Sequence, residues 1–218
     1  MFLHQEAYVK KILNKFKMID AKAVSIPADP HARLVPNDRD DESPSTVPFR
    51  EAMGSLIFLA VVTRLDIAYS VNSVSKFLSN HNESHWQAVK RIYRFLVGTT
   101  EFGIMYKSGG SNSKLQGFSN SDFASDTETR RSTTGYAFCL SNGIVTWSSQ
   151  RQKLVTLSTT EAEYVAAAAA AKEAIWLRKL LNDLLSTDKV DSPASRQSKC
   201  NPINQKCGVP QANQAYRH

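Results

Sequence analysis

The sequence predicts an α+β fold: a helical N-terminal half, then three antiparallel strands and one long helix. Three observations predict it. In Gln5 to Lys17, and again from Phe49 to Val97, the apolar residues recur at helical spacing. Beyond Leu115 three short runs take the two-residue period of strands, and the last two flank the tight-turn signal Ser141-Asn142-Gly143. From Ser158 a capping sequence opens an alanine-rich helix. A chain of 218 residues with 42% hydrophobic content can bury a core in one or two small domains.

The elements follow in order. Gln5 to Lys17 places Tyr8, Val9, Ile12, Leu13 and Phe16 on one helical face, with Lys10, Lys11, Lys15 and Lys17 mostly on a solvated side. Ser25 to Pro48 holds Pro27, Pro30, Pro36, Pro44 and Pro48 and a charge run from Asp38 to Glu42; it reads as a mobile linker. Pro48 sits where a helix can start, because its missing N–H costs nothing in the first turn. Phe49 to Val62 reads as an apolar helix and Asp66 to Leu78 as a second, with Thr63 or Asp66 able to cap. Asn82 or Ser84 caps a third, from about His85 to Val97, stopped by Gly98. Its expected buried stripe is Trp86, Val89, Tyr93 and Leu96; Gln87, Lys90, Arg91 and Arg94 form its polar side.

Ile104 to Tyr106 is a short strand candidate followed by the turn Gly109-Gly110. Leu115 to Ala124 reads as a strand with Phe118, Asn120 and Asp122 on one face. Gly135 to Leu140 and Ile144 to Ser148 form a hairpin. Ser158-Thr159-Thr160-Glu161 is a capping box for a helix reaching about Leu185. Its alanine run, Ala166 to Ala171, makes a smooth side that can lie close against a sheet.

Bulk properties exclude several classes. No stretch is long and apolar enough to span a membrane, and Met1 to Leu3 is too short for a signal peptide, so an intracellular location (cytoplasm or nucleus) is expected. Cys139, Cys200 and Cys207 make no disulfide framework and lack zinc-type spacing; reduced thiols are expected. The net charge of +7 invites a nucleic-acid partner. Four of those charges, however, belong to Arg196, Lys199, Lys206 and Arg217 in an acid-free C-terminal stretch.

Two groups of residues bear on chemistry. Glu163 shares a helix side with Ala166, Ala167, Ala170 and Ala174, and sits near a helix N-terminus, which a carboxylate favours electrostatically. Arg130-Arg131-Ser132 is a loop arginine pair beside a hydroxyl. It can grip phosphates, or serve as a charged turn that positions the next strand.

Residues Leu115 to Tyr164 resemble the ribonuclease H segment of copia-type retrotransposon Pol polyproteins. The resemblance rests on Phe118-Ser119-Asn120-Ser121-Asp122, on Arg130-Arg131-Ser132-Thr133-Thr134-Gly135 and on the stretch from Ser158 or Thr159 through Tyr164. It extends backwards through MGSLIFL, TRLDIAY and HWQAVKRIYRFLVGT to Tyr8–Pro30, where Leu65 replaces a proline usual in the family. It implies a helical connection region followed by a truncated ribonuclease H-like domain of three antiparallel strands and one long helix. The implied boundaries are 1–24 for the end of the reverse transcriptase, 25–48 for the linker, 49–104 for the connection, 105–186 for the ribonuclease H-like part and 187–218 for a disordered tail.

The resemblance also implies chemistry. The family cleaves the RNA strand of RNA–DNA hybrids with two Mg²⁺ ions, which carboxylates must hold about 3.5–4 Å apart. Glu163 falls on the family's glutamate, a metal ligand. Asn120 falls on its first aspartate, where a neutral amide cannot offset metal charge. Asp122 is a further candidate, and Arg130, Arg131 and Ser132 are the implied nucleic-acid contacts. An inactive remnant is expected; the alternative is a non-catalytic module that binds hybrids or other nucleic acid.

The family continues past the long helix into Cys-Asp-Asn-Gln, whose aspartate is a third ligand, and then His-Ile-Asp. Here the chain runs SRQSKCNPINQKCGVPQANQAYRH. Permissible codons for Arg196–His218, read one nucleotide later, encode DNQSAIRLIKNAEFHRRTKHID. A frameshift between about Val190 and Arg196 is therefore expected, which makes the basic tail uninformative about partners.

Overall fold

The computed structural model describes residues 1–29, 32, 34–36, 47–107, 114–126 and 128–185. The expectations for the middle of the 25–48 linker, the Gly109-Gly110 turn, Cys200, Cys207 and the 187–218 tail lie outside the described residues. The described chain is α+β, with five α-helices and two small antiparallel sheets.

The helical half begins with strand β1 (Phe2–His4) and helix α1 (Glu6–Lys15). Helices α2 (Phe49–Val62), α3 (Ala68–Ser75) and α4 (Glu83–Val97) follow, and strand β2 (Gly103–Met105) closes it. β1 pairs with β2 in antiparallel register, Leu3 opposite Ile104, a pairing that residues about 100 apart could not announce locally. The apolar stripes of the four helices meet in one core that includes Val9, Leu13, Met53, Leu56, Ile67 and Leu96. In α4 the buried side is wider than expected: His85, Ile92 and Phe95 are buried with Val89, Tyr93 and Leu96, while Trp86 is half-buried.

Two capping expectations resolve differently. Neither Thr63 nor Asp66 caps the second helix, which starts as a 3-10 turn, Leu65–Ile67, before α3. The Asp66 carboxylate is instead held by Arg64, which is 1% exposed. Arg64 also donates to the carbonyl of Thr99 at 2.9 Å and to its hydroxyl at 2.6 Å, and lies over the rings of Phe95 and Phe102. Asn82 does cap α4: its side chain accepts from the N–H groups of Ser84 and His85. His85 takes the place usual for glutamate in such a box, its Nδ1 accepting the Asn82 N–H at 3.0 Å.

The second half is a three-stranded sheet in the order β3 (Gln116–Asp122), β4 (Thr133–Leu140), β5 (Gly143–Arg151), with helix α5 (Thr159–Leu185) against it. Ser141 and Asn142 both have positive φ, 50° and 64°, as a two-residue hairpin turn requires. Gly143 serves space rather than the turn: a Cβ there would come within 2.2 Å of the Tyr106 ring.

The sheet has two occupied faces. Gly117 lies directly opposite Phe138, whose ring packs with Ala170 and Leu177 of α5. Strand alternation therefore turns Gly117, Ser119 and Ser121 towards α5. The opposite face meets the helical half, where the Trp147 indole N–H donates to the Ala60 carbonyl at 2.8 Å.

Candidate functional site

At the head of α5, the Ser158 hydroxyl accepts the N–H of Glu161, and the Glu161 carboxylate accepts the N–H of Leu157. These bonds fix the first turn and set Glu163 beside β3. Ala162 and Ala166 are fully buried, so the helix sits close to the strand. The Glu163 Oε1 accepts the backbone N–H of Ser121 at 3.2 Å. β3 is an edge strand, and such strands leave N–H groups without a ladder partner. Gln152, 4% exposed, braces the same corner by donating to Thr134, Ser121 and the Ala162 carbonyl.

Asn120 and Asp122 flank Ser121, whose N–H Glu163 accepts. Both are exposed, and alternation from Ser121 turns them to the face away from α5. Asp122 stands in a cross-strand row with Thr133 and Arg151.

On that face the loop after β3 builds a charged node. Asp126, 6% exposed, accepts from Lys76 of α3 at 3.1 Å, from the Thr129 hydroxyl, from the Glu128 N–H and from Arg151. Burial raises its pKa. The hydrogen bonds from Arg151, Lys76 and Thr129 outweigh that and hold the carboxyl well below the usual carboxylate range. The node borders a cleft of about 410 Å³ between α3 and the sheet. It was missed in the sequence: Lys76 and Asp126 lie 50 residues apart, with no local pattern linking them.

The arginine loop divides. Arg130 is exposed, with φ at 55°, and Arg131 is half-buried. Their backbone bonds the loop to Asp126. Ser132 departs from the expected phosphate contact. It is fully buried, accepting the Ala124 N–H at 3.1 Å and sharing a hydrogen bond with the Thr156 hydroxyl at 2.9 Å.

The residues present do not fit a pair of Mg²⁺ ions. Glu163 spends one oxygen on a backbone N–H and keeps the other, Asn120 is a neutral amide, and the Asp126 oxygens are taken by cations and N–H and hydroxyl donors. Among the described residues no group of three or more His, Cys, Asp or Glu side chains could hold a metal ion. Cys139 is a free thiol whose pKa burial raises. Among the described residues no helix is long and apolar enough to cross a membrane.

No protein-family model matches the chain, and no solved structure does. Curated relatives do match. The chain is 43% identical over 189 residues to a retrovirus-related Pol polyprotein from transposon TNT 1-94 of Nicotiana tabacum, covering 84% of the chain and 14% of that protein. It is 39% identical over 184 residues to the Pol polyprotein from transposon RE1 of Arabidopsis thaliana, covering 84% of the chain and 12% of the relative. It is also 46% identical over 131 residues to secreted RxLR effector protein 161 of Plasmopara viticola, covering 60% of the chain and 92% of that protein. The chain thus spans about an eighth of the Pol polyproteins it matches, and it belongs to the copia-type retrotransposon Pol polyprotein family as a fragment.

Proposed function

We propose that this chain corresponds to the connection region, 49–104, and a truncated ribonuclease H-like part, 105–186, of a copia-type Pol polyprotein, preceded by the end of its reverse transcriptase, 1–24. Its ancestral activity is cleavage of the RNA strand of RNA–DNA hybrids, and this chain has lost it. The order of the matching motifs supports the assignment. One observation carries the loss: Asn120, a neutral amide, stands where the family has its first aspartate, next to the Ser121 N–H that Glu163 accepts.

Hydrolysis of a phosphodiester by this family's chemistry needs charge opposed to both the attacking and the leaving oxygen. Glu163 alone cannot hold two metal ions, so no catalytic step is assigned to it. The second reading, a non-catalytic module that binds nucleic acid, is supported by Arg130, which is exposed beside the node.

The test is incubation of the purified chain with a labelled RNA–DNA hybrid and Mg²⁺ or Mn²⁺. The expected result is an intact RNA strand, also in Asn120→Asp. Metal-dependent cleavage that disappears in Glu163→Gln would overturn the proposal.

A further inference from the structure

We infer that the outer face of α2 is a self-association surface, on which two copies of this chain pack antiparallel with Val61 of each copy seated over Gly54 of the other. This association does not depend on the proposed function.

Between Met53 and Val62 the only polar side chain is Ser55, and its hydroxyl is spent on the Glu51 carbonyl at 3.0 Å. A helix that is apolar all round is ordinarily buried all round. One side of α2, with Ala52, Met53, Leu56 and Leu59, is buried in the core. On the other side Ile57, Phe58, Val61 and Val62 are between 37% and 69% exposed. Tyr8 of α1 packs edge-on to the Phe58 ring, with centroids 5.1 Å apart, and forms one border of this face. Gly54 is a second, independent observation. It lies in the middle of α2, where glycine is less stable than alanine because it has more conformational freedom to lose. The chain's own packing gives no reason for it, since a Cβ there would meet nothing within 4 Å. Close approach of another backbone is such a reason. Helical geometry places Gly54 and Val61 on one line, with Ile57 and Phe58 to either side. The face is therefore a hole and a knob about 10 Å apart between two apolar flanks.

A face that carries both a hole and a knob is complementary to itself. About a two-fold axis crossing α2 between Ile57 and Phe58, Val61 of each copy falls on Gly54 of the other. The two Phe58 rings then meet on one flank and the two Ile57 side chains on the other, an isologous contact that closes at two copies. Charge selects the direction. Arg50 and Glu51 are exposed at the N-terminal end of α2, and its last turn has no basic residue. A parallel pair would set each of these charges against its own copy. The antiparallel pair separates them and brings Arg50 of each copy to the other's helix C-terminus, where a cation is favoured. The four exposed apolar side chains offer on the order of 400 Å² per copy, short of the ~800 Å² per partner of a standard interface. The dimer is therefore reversible and depends on concentration.

The experiment is sedimentation velocity of the full chain from about 1 μM to about 1 mM. The expected result is a reversible monomer–dimer equilibrium. Gly54→Ala separates this from a role inside the monomer. Alanine is the better helix former and its Cβ meets open space, so the thermal midpoint of the dilute chain should rise by about 2–4 °C. The same methyl group holds the two helices apart and should weaken association about tenfold. Val61→Lys, at the most exposed position of the face, should abolish the dimer with the circular dichroism unchanged. Ile175→Lys introduces the same charge at another exposed apolar residue, on α5, and should leave the equilibrium as it is. A monomer across the whole range overturns the proposal. So does a dimer that Gly54→Ala and Val61→Lys, both folded, leave unchanged, since the contact then lies on another surface. Equal weakening by Ile175→Lys also overturns it, as the mark of unspecific apolar association.

Discussion

The indole N–H of Trp147 on β5 reaches the Ala60 carbonyl on α2 at 2.8 Å, at a point where the helix no longer serves that carbonyl. The N–H of Arg64, four residues on, turns instead to Leu59. Trp147 thus satisfies an orphan of the helix end and fastens the sheet to the helical half. Trp147→Phe should keep most of the packing and strand the Ala60 carbonyl. The expected loss is about 1–3 kcal/mol, read as a lower urea midpoint. An unchanged midpoint would mean that water replaces the indole freely.

Arg64 should be the most sensitive charged position in the helical half. Its guanidinium is 1% exposed and joins Asp66, Thr99 and the rings of Phe95 and Phe102. Arg64→Ala removes the charge, strands Asp66 and opens a cavity, so unfolding free energy should fall by about 3–5 kcal/mol. Arg64→Lys should fail to rescue, because an ammonium cannot fork to Asp66 and Thr99 together. Equal thermal midpoints for Lys and Arg at this position would contradict the geometry.

His85 should make stability depend on pH. Burial lowers its pKa from 6.5 to about 4, helped by the nearby charges of His81 and Lys76. The native state holds it neutral, with Nδ1 accepting the Asn82 N–H, while the unfolded chain takes up the proton first. The stabilisation is therefore complete above about pH 6.5 and is lost as pH falls towards 4, by about 3 kcal/mol. His85→Gln can keep the capping contact without titrating, so it should flatten the profile across this window. A profile equally steep in His85→Gln would place the effect elsewhere.

Gly117 should not tolerate a side chain. A Cβ there would lie 2.3 Å from the Phe138 ring, and that ring anchors the small core against α5. Gly117→Ala should destabilise by about 1–3 kcal/mol through overpacking. The loss should appear in the sheet half, as reduced near-ultraviolet dichroism with α-helical signal retained from the helical half.

Sequencing the locus from the Val190 codon onwards checks the reading-frame expectation. The frame one nucleotide after that of Arg196–His218 should read as a continuation of the Pol sequence through Asp-Asn-Gln. Nucleotides that encode no such continuation would remove that account of the tail.

Local features were legible. The bounds of α2, the Asn82 cap and the Ser141-Asn142 turn each depend on a few neighbouring residues. The Arg64 anchor was not, because what makes it a core residue is Thr99, 35 residues away. The same holds for the site. That Asn120 and Asp122 share a strand face follows from alternation. Which face α5 covers does not, because it is decided by Phe138 pairing across the strand from Gly117. Ser132 looked like a surface hydroxyl because its neighbours are arginines; the hydroxyl of Thr156, 24 residues on, draws it inside.

The pairing of β1 with β2 imposes an order on biosynthesis. Leu3 meets Ile104, so about 100 residues must be translated before the first strand has a partner. At about 5–20 residues per second, that strand waits on the order of 5–20 s outside the ribosome with its backbone edge unpaired. During the wait the helices can collapse around Leu13 and Met53, but the ends of the helical half cannot be tied. A nascent chain stalled before Met105 would therefore leave the edge of β1 unpaired.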